Sequence, residues 1–158
     1  MNTGKFPSVA QGLDMRANVP GHNVVLKVAH IGYAVPDIES ARNEFELLGW
    51  RVCSDVTDDV DRKVKIQFMR MGDSVIELVA PLSDDSPIRK TIHKGSGVPY
   101  HICYEAESLD EAEAVLKARH FVVFKKPEPA PAIDDRRVEW FYAKNLGIIE
   151  LVETNREV

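Results

Sequence analysis

Cysteine is nearly missing from this chain: Cys53 and Cys103 stand alone among 158 residues. That is too few for the disulfide framework of a small secreted protein, and a reducing, cytoplasmic setting is the expectation. Long apolar runs are missing too; no stretch approaches the ~18 residues that a membrane-spanning helix requires. The first 24 residues lack the apolar segment of a secretory leader. Positive charge is also short. Lys and Arg number 20 against 25 Asp and Glu, for a net charge of −5. A surface of that sign excludes nucleic acid and anionic membrane as the main partner.

What is present suffices for one folded unit. Hydrophobic residues make up 44% of the chain and charged residues 28%, the balance of an ordinary globular protein. A chain of this length can bury a real core. Residues 1–24 carry Gly, Pro and Asn without periodicity and read as a flexible N-terminal arm. Residues 25–154 read as a single domain.

Within that domain one phrase is written twice. Residues 28–35 are VAHIGYAV and residues 99–106 are PYHICYEA. Sliding the chain by 71 lays His30 on His101, Ile31 on Ile102 and Tyr33 on Tyr104, without a gap through Val52 on Val123. Further on, KVKIQF (63–68) lies over RVEWFY (137–142), and VIELV (75–79) over IIELV (148–152), which sets Glu77 on Glu150. Two modules, 26–80 and 98–153, are joined by a linker, 81–97.

Each module has the same grammar. A short apolar strand holds the His. A helix follows, with Asp37 able to cap the first and Gly49 placed to stop it. Three strands complete the unit, read in module one as 50–56, 62–71 and 74–81, with Gly72-Asp73 as a tight turn. The linker has room for a short helix at 87–93. The Pro-rich PEPAPA (127–132) reads as a loop. The fold class is therefore α+β: paired βαβββ modules in one cupped, pseudo-two-fold mixed sheet.

A lone His in an apolar strand is usually a hydrogen-bonded core residue, and a lone Glu in a strand usually faces water. Here both types recur together in a repeat that has diverged at most positions. Glu77 and Glu150 also sit in nearly all-apolar runs, and a buried carboxylate is costly unless paired, protonated or metal-bound. If the modules face each other, His30, Glu77, His101 and Glu150 converge. Two imidazoles and two carboxylates suit one divalent first-row ion with room for one or two waters. His22, His93 and His120 have no ligand-type repeat partner and are assigned to the surface.

At these residues the chain resembles the vicinal oxygen chelate superfamily, with a His on the first strand and a Glu or Gln on the last strand of each module. HIGYAV, VIELVAPLSDDSPI, TIHKGSGVPYHICYE, PAIDDRRV and GIIELVE are most similar to clostridial-type bacterial glyoxalase I. Methylmalonyl-CoA epimerase shares ELVAP, DSPI and HIC. It differs in two places: a double His where this chain has Tyr100-His101, and a non-ligand catalytic Glu before the third strand where this chain has Asp61.

The resemblance implies a lactoylglutathione lyase-like enzyme that isomerises a methylglyoxal–thiol hemithioacetal by proton transfer. It further implies one ion per chain, nickel or cobalt by likeness, although the donor set also fits zinc. Glu150 would be the base and Glu77 a second proton carrier. A homodimer acting on a small thiol adduct is expected. Arg136 is the candidate anchor for the substrate's anionic tail, since Arg136 and Arg137 alternate faces and only one can enter the cup; Lys125 and Lys126 are weaker candidates. Tyr33 and Tyr104, three residues past each His, belong on the opposite side of the strand. The alternatives are an epimerase of the methylmalonyl-CoA kind and a metal-free small-molecule binding or resistance protein. Four intact ligands count against the latter. A second carboxylate ligand counts against a ring-cleaving iron dioxygenase.

Overall fold

The computed structural model describes residues 17–18 and 25–154. Apart from Ala17–Asn18, the expected arm at 1–24, with His22, lies outside the described residues. In chain order the elements are β1 (Ala17–Asn18), β2 (Val25–Ala34), α1 (Ile38–Leu47), β3 (Arg51–Val52), β4 (Thr57–Asp59), β5 (Val64–Met71) and β6 (Ser74–Pro81). Then come β7 (Val98–Ala106), α2 (Leu109–Ala118), β8 (Val122–Ala130), β9 (Arg136–Ala143) and β10 (Gly147–Glu153). They form one mixed sheet in the order β3-β5-β6-β2-β7-β10-β9-β8, with β1 on β2 and β4 on β5.

The modules join where β2 runs antiparallel to β7. Within each module the last strand lies parallel to the first, β6 beside β2 and β10 beside β7. The four strands that carry the repeated His and Glu are thus the four central strands. Paired βαβββ modules in a cupped sheet are what the repeat predicted.

The helices start and stop for local reasons. Asp37 Oδ1 accepts the Ser40 N–H at 2.8 Å, and Ser108 Oγ accepts the Glu111 N–H at 3.3 Å. These caps are each worth about 1 kcal/mol. The helix α1 is followed by Gly49 at φ +96°, the left-handed stop that glycine fits best. Its repeat mate after α2 is His120, at φ +67°. That backbone role explains a histidine with no ligand partner; it and His93 are exposed. One side of α1 packs Ala41 and Phe45 on Met69, Ile76 and Leu78. In α2, Leu109, Ala112 and Val115 pack on Phe141 and Leu151. Full burial of a side chain such as Leu109 is worth roughly 1.5–3 kcal/mol. Tyr33 and Tyr104 join these helix-side clusters, away from the cup.

Three local readings change. The strand expected at 50–56 is reduced to β3, and β4 begins only beyond it; between them Ser54 Oγ takes the Phe68 N–H at 2.9 Å in place of a backbone carbonyl. The short helix at 87–93 is a 3-10 turn, Pro87–Lys90, which buries Ile88. The Pro-rich loop at 127–132 is mostly strand: β8 runs through Pro127 and Pro129 to Ala130. It is the sheet's edge, where a residue lacking an N–H is tolerated, and its pairing slips between Lys125 and Glu128.

The repeat also aligns differently on the third strand. Phe68 pairs with Glu77, and Trp140 pairs with Glu150. Trp140 is therefore the mate of Phe68, and Glu139 the mate of Gln67, so the overlay of 63–68 on 137–142 is two residues out. The hairpin after β9 is one residue longer than that after β5, with Gly147 at φ +78° closing it.

Candidate metal centre

His30, Glu77, His101 and Glu150 are all buried, and one donor atom from each lies within 4.8 Å of the others. His30 Nε2 is 3.2 Å from His101 Nε2. Glu150 Oε2 is 3.3 Å from each imidazole, and Glu77 Oε2 is 3.5 Å from each. Donors about 2.1 Å from one small ion, at angles near 90–110°, stand roughly 3.0–3.4 Å apart. The set fits a divalent ion on geometry as well as on donor type. Glu150 Oε2, the oxygen turned to both rings, has no protein hydrogen bond.

Two β-bulges put the ligands there. Val28 pairs with Tyr104 and His30 with Cys103, so Ala29 is an extra residue. Gly32 pairs with His101 and Tyr33 with Pro99, so Tyr100 is an extra residue too. Ala29 and Tyr100 are repeat mates, each directly before its His. Leu26 packs under α2 and Tyr33 under α1. Seven residues apart, they belong on opposite faces of a regular strand; one extra residue restores the phase and re-aims the chain at His30.

The wall around the ligands is aromatic. Phe68 meets the His30 ring edge-on at 5.4 Å; the His101 ring is met by Trp140 at 5.0 Å and by Tyr100 at 4.5 Å. Gly32 is needed beneath His101. A Cβ on Gly32 would stand 2.0 Å from the His101 Cε1 and 2.2 Å from its Nδ1. A glycine inside a strand was the signal for this close approach. The repeat signal pointed only to residues alike in both copies, and passed over Gly32.

Charge in the site calls for a cation. Burial pulls the His30 imidazole down, yet Glu77 and then Glu150 outweigh it and push its pKa up to about 10. Burial raises Glu150, but the His101 and His30 imidazoles, each 3.3 Å from its Oε2, hold it below the usual carboxylate range. A proton on imidazole thus meets the demand that a divalent ion would meet.

A cavity of about 500 Å³ opens over the site, lined by Glu77, Glu150, Tyr100 and Trp140 and, nearer the mouth, by Asp61 and Lys125. Arg62 closes one side. Its guanidinium pairs with buried Asp59, contacts Glu128 at 2.6 Å and donates to the Pro129 carbonyl at 2.9 Å. It thereby ties the turn before β5 to the end of β8 in the other module. Arg136 is not part of this lining. It donates to the Ile133 carbonyl at 3.3 Å and faces Glu105 at 3.8 Å, in a separate groove with Arg137 and Asp134. Val138, Cys103 and Ile133 cluster on the inner face of module two. Lys126 pairs with Glu113 of α2. Of the cations considered for the substrate tail, Lys125 alone lines the cavity.

Four ligand-type residues thus stand on four adjacent strands. Residues 29–140 match the glyoxalase/bleomycin resistance protein/dioxygenase superfamily. The chain belongs to that superfamily. An ethylmalonyl-CoA/methylmalonyl-CoA epimerase of Cereibacter sphaeroides is 31% identical over 129 residues, covering 79% of this chain and 96% of the relative. The mitochondrial methylmalonyl-CoA epimerase of Mus musculus is 33% identical over 95 residues, 59% of this chain and 53% of that protein. A hypothetical protein of Bacillus halodurans superposes with a TM-score of 0.73 at 28% identity, over 84% of this chain and 97% of its own. The methylmalonyl-CoA epimerase of Mycobacterium tuberculosis shares the fold, with a TM-score of 0.70 at 21% identity over 82% and 89% of the two chains. These named relatives favour the epimerase alternative over glyoxalase I.

Proposed function

We propose that this protein is a metal-dependent epimerase that inverts the C2 centre of a short 2-alkylmalonyl-CoA or a similar branched acyl thioester. One observation carries the reading: Asp61, a carboxylate outside the ligand set, lines the same cavity as Glu77 and Glu150. Inverting a carbon centre requires a proton to leave on one face and return on the other, and two carboxylates can share that task. Glu150 takes the proton and Asp61 supplies one in the forward direction; their roles exchange in reverse. A bound divalent ion would act as a Lewis acid on the thioester carbonyl, worth several kcal/mol in the transition state. His30 and His101 hold it as neutral imidazoles, with Glu77 and Glu150. Cobalt, nickel and zinc all suit this set. Lys125 at the mouth suits an anionic tail.

All four ligands come from one chain, so each subunit holds a whole site. We read the protein as a cytoplasmic homodimer. Ile31 and Ile102, cross-strand partners at the sheet centre, leave 38% and 36% of their surfaces exposed for contact with another subunit. Among the described residues no helix is long and apolar enough to cross a membrane.

The test is a side-by-side assay on metal-reconstituted protein. Solvent deuterium should enter C2 of methylmalonyl-CoA, and Asp61→Asn should lower the exchange about a hundredfold with the ion retained. Thioester formation from methylglyoxal and glutathione, without exchange, would return the protein to the glyoxalase I reading.

A further inference from the structure

Asp61 sits in the loop 60–63, between the paired ends of β4 and β5 at Asp59 and Val64. Its carboxylate has no hydrogen bond or ion pair among the described residues, but the loop around it is held on both sides. On the module-one side Lys63 is fixed. Its N–H donates to the Val60 carbonyl at 3.2 Å, its carbonyl accepts the Leu82 N–H at 2.9 Å, and its ammonium pairs with Asp85. On the other side stands Arg62. Its backbone N–H donates to Asp59 Oδ1 at 3.0 Å, and its guanidinium pairs with Oδ2 of the same carboxylate. Asp59 is 2% exposed, and a carboxylate so deeply buried needs its partner. The guanidinium then crosses to module two, to Glu128 and the Pro129 carbonyl.

The other module has no such acid. Counted back from the third strand, where Trp140 answers to Phe68, the mate of Asp61 is Ile133. The mate of Lys63 is Asp135, and both are left-handed, at φ +56° and +55°. Ile133 lines the same cavity as Asp61 and packs beside Val138. The position therefore borders the cavity in both copies, and only module one puts a carboxylate there.

We propose that Arg62 is a positioning residue for Asp61: by gripping Asp59 of its own module and Glu128 and Pro129 of the other, it fixes the place of Asp61 in the cavity. The Arg62 nitrogen that bonds Asp59 belongs to the peptide unit joining Asp61 to Arg62. That unit is planar, so the bond restrains the Asp61 backbone directly. The contacts with β8 set the loop against the opposite wall of the cup. A reacting group displaced by about 1 Å can cost about a hundredfold in rate.

The inference rests on the reading of Asp61 as a proton donor in epimerisation. The test measures kcat and KM for deuterium exchange into methylmalonyl-CoA on full-length, Co²⁺-loaded protein. Arg62→Ala should lower kcat tenfold or more, on the order of the loss expected from a misplaced group, with Co²⁺ content unchanged. Glu128→Gln, which leaves the Asp59–Arg62 pair intact and carries the test if Arg62→Ala fails to fold, should lower kcat about threefold. Both losses should vanish in an Asp61→Asn background, because the residue they position is already disabled. A purely structural role would lower kcat by the same factor in both backgrounds, and that result would overturn the proposal. So would an unchanged kcat in both single variants. Full turnover by Asp61→Asn alone would instead overturn the reading of Asp61, and the proposal with it.

Discussion

Module one and module two build the same half-site with different supports. Both begin with a bulge, Ala29 or Tyr100, and then a ligand His. Both set an aromatic, Phe68 or Trp140, against that His. Around these points the copies part. Gly32 answers to Cys103, Gly49 to His120, and buried Gln67 to buried Glu139. The shared positions are those whose side chains meet one another at the centre between the modules. The divergent ones need satisfy only local packing, so two halves with one geometry can have unlike chemistry.

The largest effect should come from the part the modules share. Replacing both His30 and His101 with Ala should abolish binding of the ion, read by elemental analysis. The far-ultraviolet circular dichroism should persist, because each helix packs on its own apolar cluster. Full metal content in that variant would dissolve the comparison altogether.

Next is the unlike chemistry. Glu150→Gln should cut exchange turnover by two or more orders of magnitude, and Glu77→Gln by much less. Gln keeps a carbonyl oxygen for the ion but takes no proton at neutral pH. The reverse ranking would assign the base to module one.

The Gln67/Glu139 contrast gives a smaller effect, on stability. Glu139 is fully buried and neither oxygen has a protein hydrogen bond. Burial, then the charge of Glu113, push its pKa up to about 7. Its pKa unfolded is about 4.3. The folded carboxyl therefore binds a proton that the unfolded chain has lost. Its contribution is whole below about pH 4 and is lost as pH rises to about 7. Glu139→Gln should flatten that part of the pH–stability curve and add on the order of 2 kcal/mol at pH 8. Gln67→Glu should create the same slope in module one. Parallel curves for the parent and Glu139→Gln in chemical denaturation would refute this.

Smallest is the helix stop. His120→Gly should raise the melting temperature by a few degrees, since a left-handed non-glycine residue costs about 1 kcal/mol. Gly49→Ala should lower it by a similar amount. A fall on His120→Gly would mean that the imidazole does more than end α2.

Much of this was legible early. The His and Glu residues could be read because the repeat doubles each signal; a single copy of HIGYAV or VIELV would have passed for ordinary core strand. The helix ends were legible because caps and stops are local. The third strand was set two residues out: period-2 patterns survive such a slip, and the hairpin lengths that decide it differ by one residue. Pro127 and Pro129 misled because their tolerance depends on β8 being an edge. Arg136 was chosen from alternation alone, which gives a face and not a position along it. Gly32 and Arg62 act across strands or between modules, where no local pattern reports them.

By itself, then, the sequence determined the duplicated βαβββ unit, the helix limits and the identity of the four buried ligand-type residues. Each follows from periodicity, from backbone preference, or from the cost of burying an uncompensated charge. Tertiary structure alone decided the edge-to-edge pairing of β2 with β7, the bulges that turn both histidines inward and the seat that Gly32 leaves for His101. It also closed the cup through Arg62 and brought Asp61 to the cavity. These are relations between residues far apart in the chain. Their energies depend on distances of a few ångströms, which exist only once both modules are folded against each other.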